Sequence, residues 1–476
     1  MPVDAAYRPD PRYSSLGEGF ADPVRPADFP ATVLRYRNDR WAARVGLGGL
    51  SDAEWVGHFG RFQPLPDNQG EPLAMRYHGH QFRTYNPDLG DGRGFLFAQL
   101  RDDQGRLLDL GTKGSGRTPW SRGGDGRLTL KGGVREVLAT AMLEALGVPT
   151  SKSFSLVETG EPLQRSDEPS PTRSAVLTRL SFSHIRFGTF QRLAFHGETE
   201  AMARLLDHIA RTYQPDLSAQ EGPDRVAAWL VRVVALSAHL AGRWMAAGFV
   251  HGVLNTDNMN INGESFDYGP YRFLPQNDPN FVAAYFDQSG LYSFGRQPEA
   301  VFWNLQQLAA CLTLIVPDHQ PLVDALSGFG PAYQAALRGA MIARLGLLPR
   351  SPEEDAALAG AAFRALAEGG EAIRWEPFFF DWFGGPASET RALTGPRAPV
   401  YAGEAFQALR RLFAAYAPDR PERLDAAYFA AAEPEELLYD EIESIWSAID
   451  KEDDWRPFHA KLVRLDQART AMALQP

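Results

Sequence analysis

The sequence predicts an α+β protein of two lobes, a mixed β lobe over residues 1–195 and a helical lobe over 196–476, and three observations lead there. At 476 residues the chain is about three times the usual length of one domain, so it can bury a large core. From about residue 70 to 190, short β-prone runs alternate with glycine turns around a single helix. After 190 the apolar periodicity becomes helical almost throughout.

Residues before about 70 read as an N-terminal extension of the β lobe. Phe95–Leu100 and Leu107–Leu110 flank Asp102–Gly105, which predicts a hairpin, and Ser153–Val157 and Ser174–Thr178 predict two more strands. Between those, Gly160–Arg173 is rich in Pro, Ser and acids and reads as a surface loop. Val134, Val137, Leu138, Ala141, Met142 and Ala145 form the stripe of a helix that Gly147 and Pro149 end. In the second half Pro223 opens a long apolar helix to about Gly248. Further helices are expected near 298–316, 331–346, 353–368, 402–415 and 433–449, with connections at 348–352 and 384–399.

Composition narrows the function. A formal net charge of −11 argues against a protein that grips nucleic acid or an anionic membrane. Val226–Val250 carries Arg232, His239 and Arg243, so it reads as a core helix and not as a membrane span. The start, Met1 to Arg8, has no apolar core of a targeting segment, and Cys311 is the only cysteine, which together predict a cytoplasmic protein without an internal disulfide.

The chemistry begins at Leu89-Gly-Asp-Gly-Arg-Gly94, immediately before the Phe95 strand, where a glycine loop lets backbone amides approach polyphosphate. Alone it would be a turn. The hairpin that follows, with Lys113 beyond its second strand and then a helix bearing Glu136, repeats the order of a protein-kinase N-lobe. Glu136 lies off the apolar stripe of its helix, so periodicity alone would leave it solvated, and the lobe order makes it the ion-pair partner of Lys113. A second glycine-rich segment, Gly114–Arg127, carries three arginines around Asp125 and reads as a ligand-contacting loop as readily as a solvated one.

Further on, His251-Gly-Val-Leu-Asn-Thr-Asp-Asn258 and Phe266-Asp-Tyr-Gly269 are similar to a kinase catalytic loop and its metal-binding Asp-Phe-Gly. The base aspartate of a kinase stands five residues before the metal-binding asparagine, and Val253 occupies that position. Asn258 and Asp267 retain the oxygen donors that Mg²⁺ favours, and Asp257 offers a carboxylate beside them.

These residues, with Met75–Gln81, Asn86–Arg93, Gly114–Gly126, Ser183–Thr189, Asp267–Pro270, Gly290–Phe294 and Trp303–Leu305, resemble the selenoprotein O family of protein adenylyltransferases built on a pseudokinase fold, over about residues 70–310. The resemblance implies a two-lobed, kinase-like fold that binds ATP turned around, so that AMP passes to Ser, Thr or Tyr hydroxyls of acceptor proteins, itself included. It implies that Gly90, Gly92, Arg93, Lys113, Asp125, Gly126, Arg179, Arg186 and Asp267 bind nucleotide and that Asp257 accepts the proton. It also implies that Asn258 and Asp267 hold a divalent metal, Mg²⁺ with Mn²⁺ as the alternative. The rivals are a phosphotransferase using the γ-phosphate and an inactive nucleotide-binding regulator. The chain departs from the family pattern at Ala283–Asp287, at its cysteine-free end Ala471–Pro476, and over the C-terminal third, so redox gating by a disulfide is not expected.

Overall fold

A computed structural model describes residues 4–166 and 168–475; Met1–Val3 of the segment read for targeting, Asp167 of the Gly160–Arg173 stretch and Pro476 lie outside the described residues. The fold is mixed α and β, an antiparallel sheet followed by many helices. The sheet is built from β1 (Ala21–Pro23), β2 (Val33–Arg37), β3 (Leu73–Met75), β4 (Leu96–Arg101), β5 (Leu107–Lys113), β6 (Leu128–Thr129), β7 (Lys152–Leu163) and β8 (Thr172–Ser181). Its order is β1-β3-β4-β5-β8-β7-β2, with β6 pairing β8, and every pairing is antiparallel.

Two expectations change here. Residues before 70 are more than an extension, since β1 and β2 form the two edges of the sheet. The Gly160–Arg173 loop is shorter than composition suggested, because Thr172 pairs Leu163 and Arg173 pairs Pro162. Charge matching explains how such polar residues stay in strands: Arg173 donates to Glu158 at 2.7 Å and Arg127 to Glu161 at 2.6 Å.

In β4, Phe97 enters a cluster with Trp55, Phe59 and Phe154 and Leu96 enters the main core, and a register shift at Leu96–Ala98 interrupts the alternation so that Ala98 and Leu100 join the Phe97 cluster. β5 is buried along its whole length, as a strand covered on both faces must be. The main core receives helix α1 (Leu130–Ala145), N-capped by Thr129, whose hydroxyl accepts from the Gly132 amide at 3.1 Å. Helix α2 (Phe187–Phe195) leads into the helical half.

Helix α3 (Gly222–Ala246) is the one described helix long and apolar enough to cross a membrane. It packs against α4 (Gln297–Leu312) and α5 (Phe329–Arg344), the position of a core helix. The expected connection at 384–399 contains short helices at Glu389–Thr394 and Ala398–Tyr401. The C-terminal helix α6 (Arg456–Met472), which lacks a clear apolar stripe and went unread in the sequence, packs on α1.

Candidate active site

The loop from Leu89 to Gly94 is locked to the second glycine-rich loop by close approach. A Cβ at Gly90 would lie 2.4 Å from the Trp120 ring, and the second loop closes tightly on itself, since a Cβ at Gly126, where φ is +71°, would lie 2.3 Å from the Gly116 carbonyl carbon. Hydroxyls complete the seam: Thr118 donates to the Asp91 carbonyl and Ser121 to the Gly92 carbonyl, both at 2.5 Å. The Arg93 carbonyl accepts from the Gly114 amide at 2.6 Å while its guanidinium stays exposed. Asp125, on the second loop, is held by Arg165 at 2.7 Å.

Lys113, last residue of β5, is buried and donates to Glu136 on α1 and to Asp267 Oδ1 at 2.6 Å. Glu136 is itself only 1% exposed, so the solvated alternative fails and the ion pair forms. Arg179 on β8 stands opposite Gly111 of β5 and adds a contact to Asp267 Oδ1 at 3.2 Å. Burial pushes the Asp267 carboxyl up, but Lys113, Arg179, Arg186 and Arg93 outweigh it and hold that carboxyl well below the usual range. Asp267 also has φ +65°, the left-handed conformation that turns its side chain into the cluster.

Arg186 precedes α2. It donates to the Asp257 carbonyl at 3.0 Å and to Asp91 at 3.3 Å, and its guanidinium carbon lies 4.4 Å from the Tyr77 ring and 5.0 Å from the Phe266 ring. Asp257 sits in a short 3₁₀ turn, Thr256–Asn258. It is buried, and burial pushes its carboxyl up to about 6 against the pull of Arg186. Its Oδ1 has no protein partner, nor do the Nε atoms of Arg179 and Arg186. Asn258 donates its amide to the Val253 carbonyl at 3.0 Å, which fixes the orientation of its carboxamide.

Gly90, Gly92, Arg93, Lys113, Asp125, Gly126, Arg179, Arg186, Asp257, Asn258 and Asp267 thus line one cleft of about 630 Å³, and Glu136 reaches Lys113 from behind it. Val253 lines the same cleft. Sequence reasoning missed the supports. Asp91 and Tyr77 fix Arg186, although both lie in or beside quoted motifs. The His80 amide donates to Thr256 at 2.7 Å and the Phe82 amide to Asn255 at 3.0 Å, so the Met75–Gln81 motif and the residue after it clamp the His251–Asn258 loop. The Ser183–Thr189 motif grips from the other side, where the Phe187 amide donates to the Met259 carbonyl and the His184 amide to Asp109.

Among the described residues no group of three or more His, Cys, Asp and Glu side chains could hold a metal. The donor set of Asn258 and Asp267 nonetheless fits a hard cation that keeps several waters and shares phosphate oxygens. A cationic cleft, a buried lysine–glutamate pair and two oxygen donors beside an unpartnered carboxylate define the class, a transferase acting on a nucleoside polyphosphate.

Comparison with known proteins gives the particular family. The family model described as "Protein adenylyltransferase SelO" matches residues 4–466. A "Protein nucleotidyltransferase YdiU" of Synechocystis sp. is 45% identical over 479 residues, covering 96% of this chain and 97% of its own. One of Gloeobacter violaceus is 44% identical over 464 residues, covering 96% and 94%. The chain belongs to the protein adenylyltransferase SelO family and is a nucleotidyltransferase. The match to residue 466 extends the resemblance beyond the stretch of about 70–310 that the quoted motifs cover.

Proposed function

We propose that the protein transfers AMP from ATP to Ser, Thr or Tyr hydroxyls of acceptor proteins, itself included, and that it works in the cytoplasm on a two-lobed, kinase-like fold. The observation that carries this is the pairing of Val253 with Asp257. The position of a kinase base holds a side chain that cannot accept a proton, while the buried carboxylate four residues on has an unpartnered Oδ1 and a carboxyl raised to about 6, suited to general-base work near neutrality. The two-lobed reading, with lobes 1–195 and 196–476, is supported by the last sheet strand ending at Ser181 and by a cleft lined from both halves.

In this reading the acceptor oxygen attacks the α-phosphorus as Asp257 takes its proton. A phosphodiester to AMP forms, the bond to the β-phosphate oxygen breaks, and pyrophosphate leaves. Arg179, Arg186 and Lys113 neutralise the charge that collects on the departing phosphates, and Glu136 keeps Lys113 aimed at them. Asn258 and Asp267 would hold the divalent ion, Mg²⁺ or alternatively Mn²⁺, which when bound offsets phosphate charge. The glycines of both loops let backbone amides approach the nucleotide, with Arg93 and Asp125 at the cleft edge.

The test asks which phosphate travels. With ATP labelled in the α-phosphate, a general acceptor protein should retain label and release pyrophosphate; with γ-label it should retain none. Label from the γ position alone would make the protein a kinase, and nucleotide binding without either label would make it a regulator.

A further inference from the structure

Beside the nucleotide cleft lies a second hollow, a groove of about 610 Å³ whose lining includes Arg25, Arg117, Asp125, Arg127 and Glu161. Asp125 and Arg127 also line the cleft, so the two adjoin. The acids of the groove are already matched, Asp125 by Arg165 at 2.7 Å and Glu161 by Arg127 at 2.6 Å. Arg25 and Arg117 remain. Both are exposed, neither lines the nucleotide cleft, and neither guanidinium has a hydrogen bond, ion pair or ring contact among the described residues.

Their backbones, by contrast, are fixed. The Ala27 amide donates to the Ser115 carbonyl at 2.9 Å and the Gly116 amide to the Gly126 carbonyl at 3.1 Å, which zips the 25–27 segment onto the second glycine-rich loop. In a chain of net charge −11, two uncommitted arginines on a rigid rim beside the reaction cleft attract a carboxylate-bearing partner.

Resting on the transfer reading above, we propose that this groove selects acceptors, and that Arg25 and Arg117 pair with Asp or Glu side chains flanking the hydroxyl to be modified. Exposed charge pairs are individually weak, so two of them should favour an acidic flank by about threefold to tenfold in kcat/KM at low salt. The probes are synthetic peptides carrying one Ser, Thr or Tyr between Asp/Glu residues and the same peptides with Asn/Gln, labelled from α-phosphate-labelled ATP. The wild-type protein should prefer the acidic set, and Arg25→Gln/Arg117→Gln should erase that preference with the KM for ATP unchanged. Equal labelling of both sets by the wild type, none included, overturns the proposal. So does a preference that survives the double substitution, or a raised KM for ATP, which would give the groove to the nucleotide. Failure of the transfer reading is separately visible, as absence of α-label on every whole-protein acceptor.

Discussion

Two buried lysines, Lys113 in the cleft and Lys461 on α6, solve the same problem differently. Lys461 is surrounded by Glu435 at 2.7 Å, Glu441 at 2.9 Å and the Glu436 carbonyl, three acceptors for the three N–H bonds of an ammonium. Lys113 has Glu136 and Asp267, and Asp267 gives the same oxygen to Arg179. One shell is closed around its charge; the other leaves donors uncommitted where a phosphate would enter. Arg397, bound to both oxygens of Asp381 and of Glu433, repeats the closed pattern far from the cleft. Buried charge in the C-terminal helices therefore holds structure together, and buried charge in the cleft stays available for ligand.

A pair of substitutions tests this contrast with the largest expected effects. Asp267→Ala should lower α-label transfer by about 10³-fold or more, because it removes an oxygen donor and the anchor of Lys113 and Arg179 together. Its melting temperature should move little, by the equivalent of about 1 kcal/mol, since the side chain is 25% exposed in an open cleft and Glu136 still neutralises Lys113. Lys461→Ala should do the reverse, costing about 2 kcal/mol by removing a buried ammonium and leaving the half-buried Glu435 and Glu441 only Arg464, at 2.7 and 3.7 Å, with kcat/KM intact at a temperature where the variant is folded. Asp267→Ala that unfolds the protein, or a folded Lys461→Ala without activity, would erase the distinction.

How far this was legible in the sequence depends on distance along the chain. The glycine turn, the hairpin and the strand ending in Lys113 are contiguous, and local pattern finds them. Glu136 is harder. Amphipathic reasoning admits one buried face per helix, whereas α1 buries Val134, Val137 and Leu138 in the core and Glu136 against Lys113. Asp91 and Arg186 meet across 95 positions, so no window could pair them; Arg179 and Arg186 came only from family resemblance. Strand β2 was lost for the same reason, since its partner β7 begins at Lys152. Strands β7 and β8 were undercounted because cross-strand salt bridges keep polar and proline-bearing residues in register where composition reads a loop.

A smaller effect separates the two carboxylates of the cleft. Asp267 is held well below the ordinary range, whereas burial raises Asp257 to about 6. A general base works only when ionised, so kcat/KM should be flat above pH 7 and fall about tenfold per unit once pH drops below 6, as Asp257 takes up its proton. Asp267 stays charged over that range and contributes no slope. In Asp257→Asn the residual rate should lose this limb; an unchanged profile in that variant would assign the proton to another group.

The smallest expected effect is none, and it concerns the one thiol in the sequence. Cys311 lies in α4, 8% exposed, with its thiol donating to the Gln307 carbonyl at 3.1 Å. Burial pushes that thiol up to about 12, so on the order of one molecule in 10⁵ carries a thiolate at pH 7, and the thiolate is the species that attacks a disulfide or a peroxide. With a single cysteine the chain can form no internal bridge, and a buried sulfur is poorly placed for an external one. Transfer measured with and without dithiothreitol should therefore agree, and Cys311→Ala should leave kcat unchanged while losing a little stability from the cavity. A severalfold response to reductant that disappears in Cys311→Ala would mean that α4 opens far enough to expose the thiol. The helical half would then be less closed than Lys461 and Arg397 make it, and the contrast with the cleft would have to be redrawn.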